Sequence, residues 1–312
     1  FIEIWLYLMF LFIVLIVFVG GLTRLTDSGL SITEWELFKG FLPPINDEMW
    51  SFYFNQYKEI PEFKEINFNM SLSDFKVIYY WEYGHRLLAR IIGLFSILPL
   101  IYLFFKFQNK RNESFKYLII FFLICFQGFV GWFMVKSGLV NNTDVSHYRL
   151  ALHLSTALLI LSVVFWFILE NLNIHKFDNK ISLNFLKIFL LFIFIQIILG
   201  AFLAGLDGGL LYNTWPDMNG RFIPNDIFAA DLYIIESSSN PSVIQFYHRI
   251  FAYIILFFLI ILNYLFIKKN INHRYLLILN FAILFQVILG IITLITGVKI
   301  TYASLHQLGS IL

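Results

Sequence analysis

The sequence predicts an all-α integral membrane protein, with eight transmembrane helices arranged as two parallel, pseudo-repeated four-helix bundles. Three observations carry that expectation. Of 312 residues, 59% are hydrophobic and only 13% charged, with 38 Phe, far more apolar surface than a soluble domain of this length buries. Eight apolar runs reach or approach the length of a crossing. Motifs then recur, in the same order, in the two halves of the chain.

A span takes about 20 apolar residues at about 1.5 Å each. The runs lie roughly at 4–21, 82–105, 116–136, 149–169, 183–205, 245–267, 275–296 and from 302 onward. The last stops at Leu312 after about half a crossing, and the first residue is Phe1 rather than Met. Both ends therefore read as trimmed, and no targeting signal is assigned.

Basic residues gather in alternate connections: Lys106, Lys110, Arg111 and Lys116 in the second, Lys176 and Lys180 in the fourth, Lys268, Lys269 and Arg274 in the sixth. The first and fifth connections are long and acidic, with Glu34, Glu62 and Asp74 in one and Asp207, Asp217 and Asp226 in the other. The positive-inside rule then places both termini in the cytoplasm of a bacterium, at its plasma membrane. The mitochondrial inner membrane, with termini in the matrix, is the second choice. Richness in Phe, Ile, Asn and Lys suggests an AT-rich genome and favours the bacterium. The net charge of +2 shows no nucleic-acid patch. Cys125, alone in the third helix, excludes an internal disulfide and a CxxC centre and reads as a small packing residue.

Within the repeat, His85-Arg86 matches His248-Arg249. Phe126-Gln127-x-x-x-Gly131 matches Phe285-Gln286-x-x-x-Gly290, and Leu152-His153 matches Leu305-His306. Each half holds an even number of spans, so both enter the membrane the same way round, a parallel repeat. The halves are expected at 1–170 and 171–312, each a four-helix bundle of the kind that holds cofactors between facing helices. Helices two, four, six and eight each carry one histidine in a first turn or two, near the outer face.

Polar side chains in hydrocarbon mark functional paths, and a neutral imidazole ligates haem iron. Four such histidines make two bis-histidine sites, His85 with His153 and His248 with His306. The competing assignment is four polar packing residues at helix ends; their repeat-equivalent positions disfavour it. His147, His175 and His273 fall in connections and read as solvated. Glu82 is three residues from His85 and shares its helix face, whereas the second half has Gln245 at that position. A carboxyl there can move protons or stabilise a developing cation; its structural alternative is an interfacial Glu paired with Arg86 or Arg90. The asymmetry assigns a working haem to the first half and an electron-carrying haem to the second. Arg24, Arg86, Arg90, Arg149, Arg221 and Arg249 cluster at outer helix ends or loops. Of these, Arg24, Arg86, Arg90 and Arg249 are candidate partners for anionic porphyrin propionates, with headgroup contact the alternative for each.

The long outer loops carry structure of their own. Pro43-Pro44 makes a turn, Asn46 is positioned to cap a helix through about Tyr57, and Ser71-x-x-Asp74 resembles a capping box leading without a break into helix two. Such loops are suited to roof the haem pockets.

The segments GGLTRLTDSGLSITEW (20–35), MSLSDFKVIYYWEYGHRLLARIIG (70–93), VSHYRLALH (145–153), AGLDGGLLYNTWPDMNG (204–220), YHR (247–249) and LHQLGSIL (305–312) together resemble the haem A synthase family, in its alphaproteobacterial and mitochondrial branch. The resemblance runs along nearly the whole chain. The cysteine pairs of the other branch are absent, so no thiol relay is carried over. The resemblance implies an eight-helix membrane oxidoreductase that oxidises the C8 methyl of haem O to a formyl group, by way of an alcohol and a hydrate. It implies that His85 and His153 flank the substrate haem, with Glu82 required for catalysis, while His248 and His306 hold a permanent haem b that relays electrons. The implied partners are haem O synthase and cytochrome oxidase assembly factors; no electron donor or acceptor is named by the sequence. Two other functions share some of these features: a dihaem membrane cytochrome acting only in electron transfer, which leaves the Glu82 asymmetry unexplained, and a transporter, which requires no haem.

Overall fold

A computed structural model of the chain describes residues 1–35, 39–106, 111–140, 142–172, 180–227, 235–271 and 274–311. His175, His273, Lys110, Lys176 and Asp231 lie outside the described residues. The described residues are all-α, with no strand, and the chain divides into two compact units, Phe1–Ile174 and His175–Leu312.

The first unit contains α1 (Ile2–Leu25), α2 (Asp47–Tyr57), α3 (Pro61–Glu65), α4 (Leu72–Lys106), α5 (Arg111–Gly138) and α6 (His147–Asn171). Helix α1 packs on α4 and α6, and α5 packs on α4 and α6, so four long helices close a ring. The second unit contains α7 (Leu183–Gly205), α8 (Pro241–Lys268), α9 (Arg274–Ile295) and α10 (Ile300–Gly309). There α7 packs on α8, α8 on α9, and α9 on α10.

Seven helices among the described residues are long and apolar enough to cross a membrane: α1, α4, α5, α6, α7, α8 and α9. The eighth expected span corresponds to α10, whose 10 residues rise only about 15 Å, half the hydrocarbon core. The chain is therefore a multi-pass membrane protein with seven candidate spans.

Helix α4 starts where the Ser71–Asp74 capping box places it. It begins at Leu72, ten residues before the apolar run, because Phe75 and Tyr79 continue one helical face and are buried there. They pack with Leu30, Ile32, Trp50, Phe54, Tyr57 and Ile60 into one core cluster. The loop after α1, the helices α2 and α3, and the N-terminal extension of α4 thus form a roof with its own aromatic core. His85 consequently lies in the fourth turn of α4 rather than the first. His153, His248 and His306 remain in the second or third turns of α6, α8 and α10.

Local signals account for the helix starts. Asn46 accepts a hydrogen bond from Met49 N at 2.8 Å and caps α2. Ser71 and Asp74 form the reciprocal capping box: Asp74 N donates to Ser71 Oγ and Ser71 N donates to Asp74 Oδ2, each at 3.2 Å. Asn240 caps α8, with Pro241 at its first position. Two expectations are corrected. His147 is the first residue of α6, its ring 4.0 Å from that of Tyr148, and Cys125 is exposed on α5 rather than packed.

Candidate functional site

In the first unit the rings of His85 and His153 face each other with centroids 6.5 Å apart and planes at 75°. Two imidazoles bonded to one metal through nitrogens about 2 Å from it stand about 6 Å apart between centroids, so the spacing fits a bis-histidine iron. In the second unit His306 is near enough to His248 to act on it electrostatically. The Nδ1 atoms of both are buried without a hydrogen-bond partner, while His248 Nε2 lies 3.3 Å from Gln196 Nε2.

All four histidines are set against a glycine of the preceding long helix. An added Cβ would lie 3.0 Å from His85 Nε2 at Gly20 of α1. It would lie 3.0 Å from His153 Cε1 at Gly131 of α5, 3.2 Å from His248 Cε1 at Gly200 of α7, and 2.9 Å from His306 Cε1 at Gly290 of α9. Each ring occupies the space that a side chain would fill, the close backbone approach that glycine permits.

Glu82, 3% exposed, sits one turn before Arg86 on α4. Arg86 Nε and Nη2 donate to Glu82 Oε1 at 3.0 and 2.6 Å. Ser31 Oγ and Ile32 N donate to Oε2 at 2.7 and 2.8 Å. Four donors fill the four acceptor positions of the carboxylate. Arg86 also donates to the carbonyls of Ile32 (2.7 Å) and Glu34 (2.9 Å), fastening the loop after α1 to α4.

The loop after α7 meets α8 in the same way. Arg249 donates to the carbonyls of Tyr212 (2.9 Å), Thr214 (3.0 Å) and Asp217 (2.7 Å). Gln245, 1% exposed, donates to Tyr212 O at 3.2 Å. Asp27 and Asp207 both turn through positive φ, 47° and 48°. Both open an Asp-x-Gly-Leu-x-x-x-x-Trp segment, 27–35 and 207–215. At the position of Ser31 stands Leu211, so the hydroxyl donor disappears together with the carboxylate it serves.

Two features escaped the sequence reasoning. The Gln-x-x-x-Gly pattern also occurs as Gln196-x-x-x-Gly200 in α7, and the two Asp-to-Trp segments align with each other; comparing fixed spacings would have found both. The other arginines are placed as follows. Arg24 pairs with Asp27 at 3.0 Å, and Arg90 lies over the Phe41 ring. Arg149 lies over Phe133 and donates to its carbonyl; Arg221 bonds Asn225. In the roof, burial and then the charges of Asp144, Glu82 and Asp27 push the Glu62 carboxyl up to about 8. Burial, followed by Glu62, pushes the Tyr57 hydroxyl up as well.

Residues 3–312 match the family model described as "Cytochrome oxidase assembly protein". A protein named "Heme A synthase" from Pelagibacter ubique is 60% identical over 312 residues, covering 100% of this chain and 93% of that protein. Relatives of the same name from Rickettsia bellii (43% identical, 97% of this chain, 92% of the relative) and Rickettsia felis (42%, 99% and 93%) align as fully.

Proposed function

The chain belongs to the cytochrome oxidase assembly family that includes the haem A synthases, and from that membership we propose how its residues divide the work. The chain is a membrane oxidoreductase that converts haem O to haem A for cytochrome oxidase. Haem O is the substrate, and the C8 methyl is the group oxidised to formyl.

We propose that His85 and His153 hold the substrate haem in the first unit, and that His248 and His306 hold a resident haem b in the second. The haem b, when bound, supplies one-electron transfer. The observation that carries the assignment is the difference between the corners: Glu82 with Ser31 beside His85, Gln245 with Leu211 beside His248. A carboxylate whose four acceptor positions are already filled is built to hold negative charge in place rather than to shuttle a proton. Glu82 therefore stabilises positive charge that develops on the substrate as its methyl group is oxidised. Arg86 and Arg249 fasten the two outer loops, and Arg24, Arg86, Arg90 and Arg249 are the candidate partners of the propionates. The roof over α4 excludes water from the oxidised carbon.

The arrangement is a parallel repeat of two four-helix halves, 1–170 and 171–312, with α10 as the outer part of an eighth span. Both termini face the cytoplasm of a bacterial plasma membrane. Haem O synthase supplies the substrate and oxidase assembly factors take the product.

The test is expression with haem O supplied, followed by pigment extraction and chromatography. Haem A is expected from the wild type. A protein that binds haem but yields none would be an electron-transfer cytochrome, and one without a haemochrome spectrum would fit a transporter.

A further inference from the structure

The histidines differ in what stands one helical turn before the glycine behind them. At three of the four, that residue is a glutamine whose amide nitrogen donates to the carbonyl of the same histidine. Gln127 reaches His153 O at 2.9 Å, Gln196 reaches His248 O at 3.0 Å, and Gln286 reaches His306 O at 2.8 Å. Each bond fastens one helix of a hairpin to the other at the histidine itself. At His85 the corresponding residue of α1 is Ile16, and no side-chain hydrogen bond to His85 occurs among the described residues.

The amide oxygens divide the sites further. In the second unit Gln196 Oε1 and Gln286 Oε1 are both buried and without a partner, as are His248 Nδ1 and His306 Nδ1. An imidazole that gives one nitrogen to iron carries its proton on the other, and that N–H requires an acceptor to fix the ring and raise its basicity. Each hairpin of the second unit thus contains one orphaned acceptor and one orphaned ring nitrogen on residues already in contact. In the first unit neither site offers this. Gln127 Oε1 is taken by the Thr156 hydroxyl, and Ile16 has no acceptor. The amide nitrogen of Gln127 reaches the His153 ring just as that of Gln196 reaches His248 Nε2 at 3.3 Å, so the difference lies in the amide oxygens.

We propose that Gln196 and Gln286 are positioning residues that make the second-unit haem resident. The first unit lacks a free amide acceptor at either histidine, which leaves its haem exchangeable, as substrate and product must be. The inference rests on the assignment of the four histidines as haem ligands and concerns what holds them, not which reaction follows. A turnover enzyme with two equally tenacious haem sites would trap its product. Here the difference between the sites is written into the helix behind each ligand.

The test is haem release from the purified, fully loaded protein to excess apomyoglobin, read by absorbance, with the electron paramagnetic resonance of the low-spin haem b as a second readout. Gln196→Leu and Gln286→Leu are expected to release haem b about 10- to 100-fold faster than wild type and to move its g-values. Gln196→Glu keeps an acceptor at the same reach and is expected to retain haem b at the wild-type rate. Ile16→Gln combined with Thr156→Val is expected to slow release from the first unit. Unchanged release and unchanged g-values in both Leu variants would overturn the proposal. If the Leu variants fail to fold, Gln196→Glu decides it, since rapid loss of haem b from that variant is the contrary result. Retention of haem b by His248→Ala would instead overturn the ligand assignment beneath it, so the two failures are distinguishable.

Discussion

The corner where the loop after α1 meets α4 and the corner where the loop after α7 meets α8 share an arginine and differ in a carboxylate. Arg86 and Arg249 each gather two carbonyls spaced two residues apart, Ile32 with Glu34 and Tyr212 with Thr214. The second corner keeps its loop in place with a neutral Gln245 and an apolar Leu211. Fastening a loop to the helix therefore does not require a buried negative charge. The first corner nonetheless has one, with a serine hydroxyl to support it, beside the histidine pair whose rings stand at metal-bridging distance. A buried charge is costly to maintain, and its presence at only one of two similar corners points to chemistry at that corner.

The largest expected effect comes from making the first corner resemble the second. Glu82→Gln is expected to lower the rate of haem A formation about 100-fold or more while haem b content, measured by pyridine haemochrome, stays at the wild-type level. If Glu82 instead passed a proton, the residual activity of Glu82→Gln would follow a shifted pH profile. The account predicts an unshifted one. The reverse change, Gln245→Glu, has no serine to receive it and is expected to destabilise the second corner without creating activity there.

A smaller effect separates the shared part of the corners from the different part. Replacing either arginine by lysine removes the planar fork. Arg249→Lys is expected to loosen residues 212–217 by about 1–3 kcal/mol in hydrogen exchange. Arg86→Lys is expected to cost more, because it also strips two donors from Glu82. Equal losses at the two corners would show that the carboxylate contributes nothing to holding the first.

The roof supplies a pH dependence that the second unit is not expected to share. Glu62, 6% exposed, meets Tyr57 and Asn67 within the roof, and its carboxyl is raised to about 8 by burial and by Asp144, Glu82 and Asp27. An acid with its folded value above its unfolded value binds its proton more tightly when folded. The stability it lends is fully present below the ordinary carboxylate range, declines as pH rises through neutrality, and is gone once pH passes about 8. The protection of α2 and α3 amides, after correction for the pH dependence of intrinsic exchange, is expected to fall between pH 5 and pH 8 in the wild type and to stay level in Glu62→Gln. The smallest effect is at the cap: Asn46→Ala is expected to weaken α2 by about 1 kcal/mol, read as faster exchange at Asp47, Glu48 and Met49.

Much of this was legible in the sequence, for identifiable reasons. Apolar runs of span length announce membrane helices, and the Asn46 cap and the Ser71–Asp74 box announce the starts of α2 and α4, because those signals are local. Other features depend on tertiary packing. The packing of the N-terminal extension of α4 is written in Phe75 and Tyr79, but their value lies in Trp50, Phe54 and Tyr57 from another segment. Glu82 was visible as a carboxylate near His85, whereas its full set of four donors includes Ser31 and Ile32, some fifty residues away. Gly131 and Gly290 stand out in the sequence as repeat positions, but that they, Gly20 and Gly200 lie against the histidine rings is visible only in three dimensions.

The division of labour between the two histidine pairs is tested most directly by replacing His85, His153, His248 and His306 singly with alanine and quantifying each haem type the protein retains. The account predicts that haem b is lost only from the His248 and His306 variants, while the His85 and His153 variants keep haem b and fail to hold haem O. Loss of haem b from the His85 or His153 variants, with retention in the other two, would contradict it.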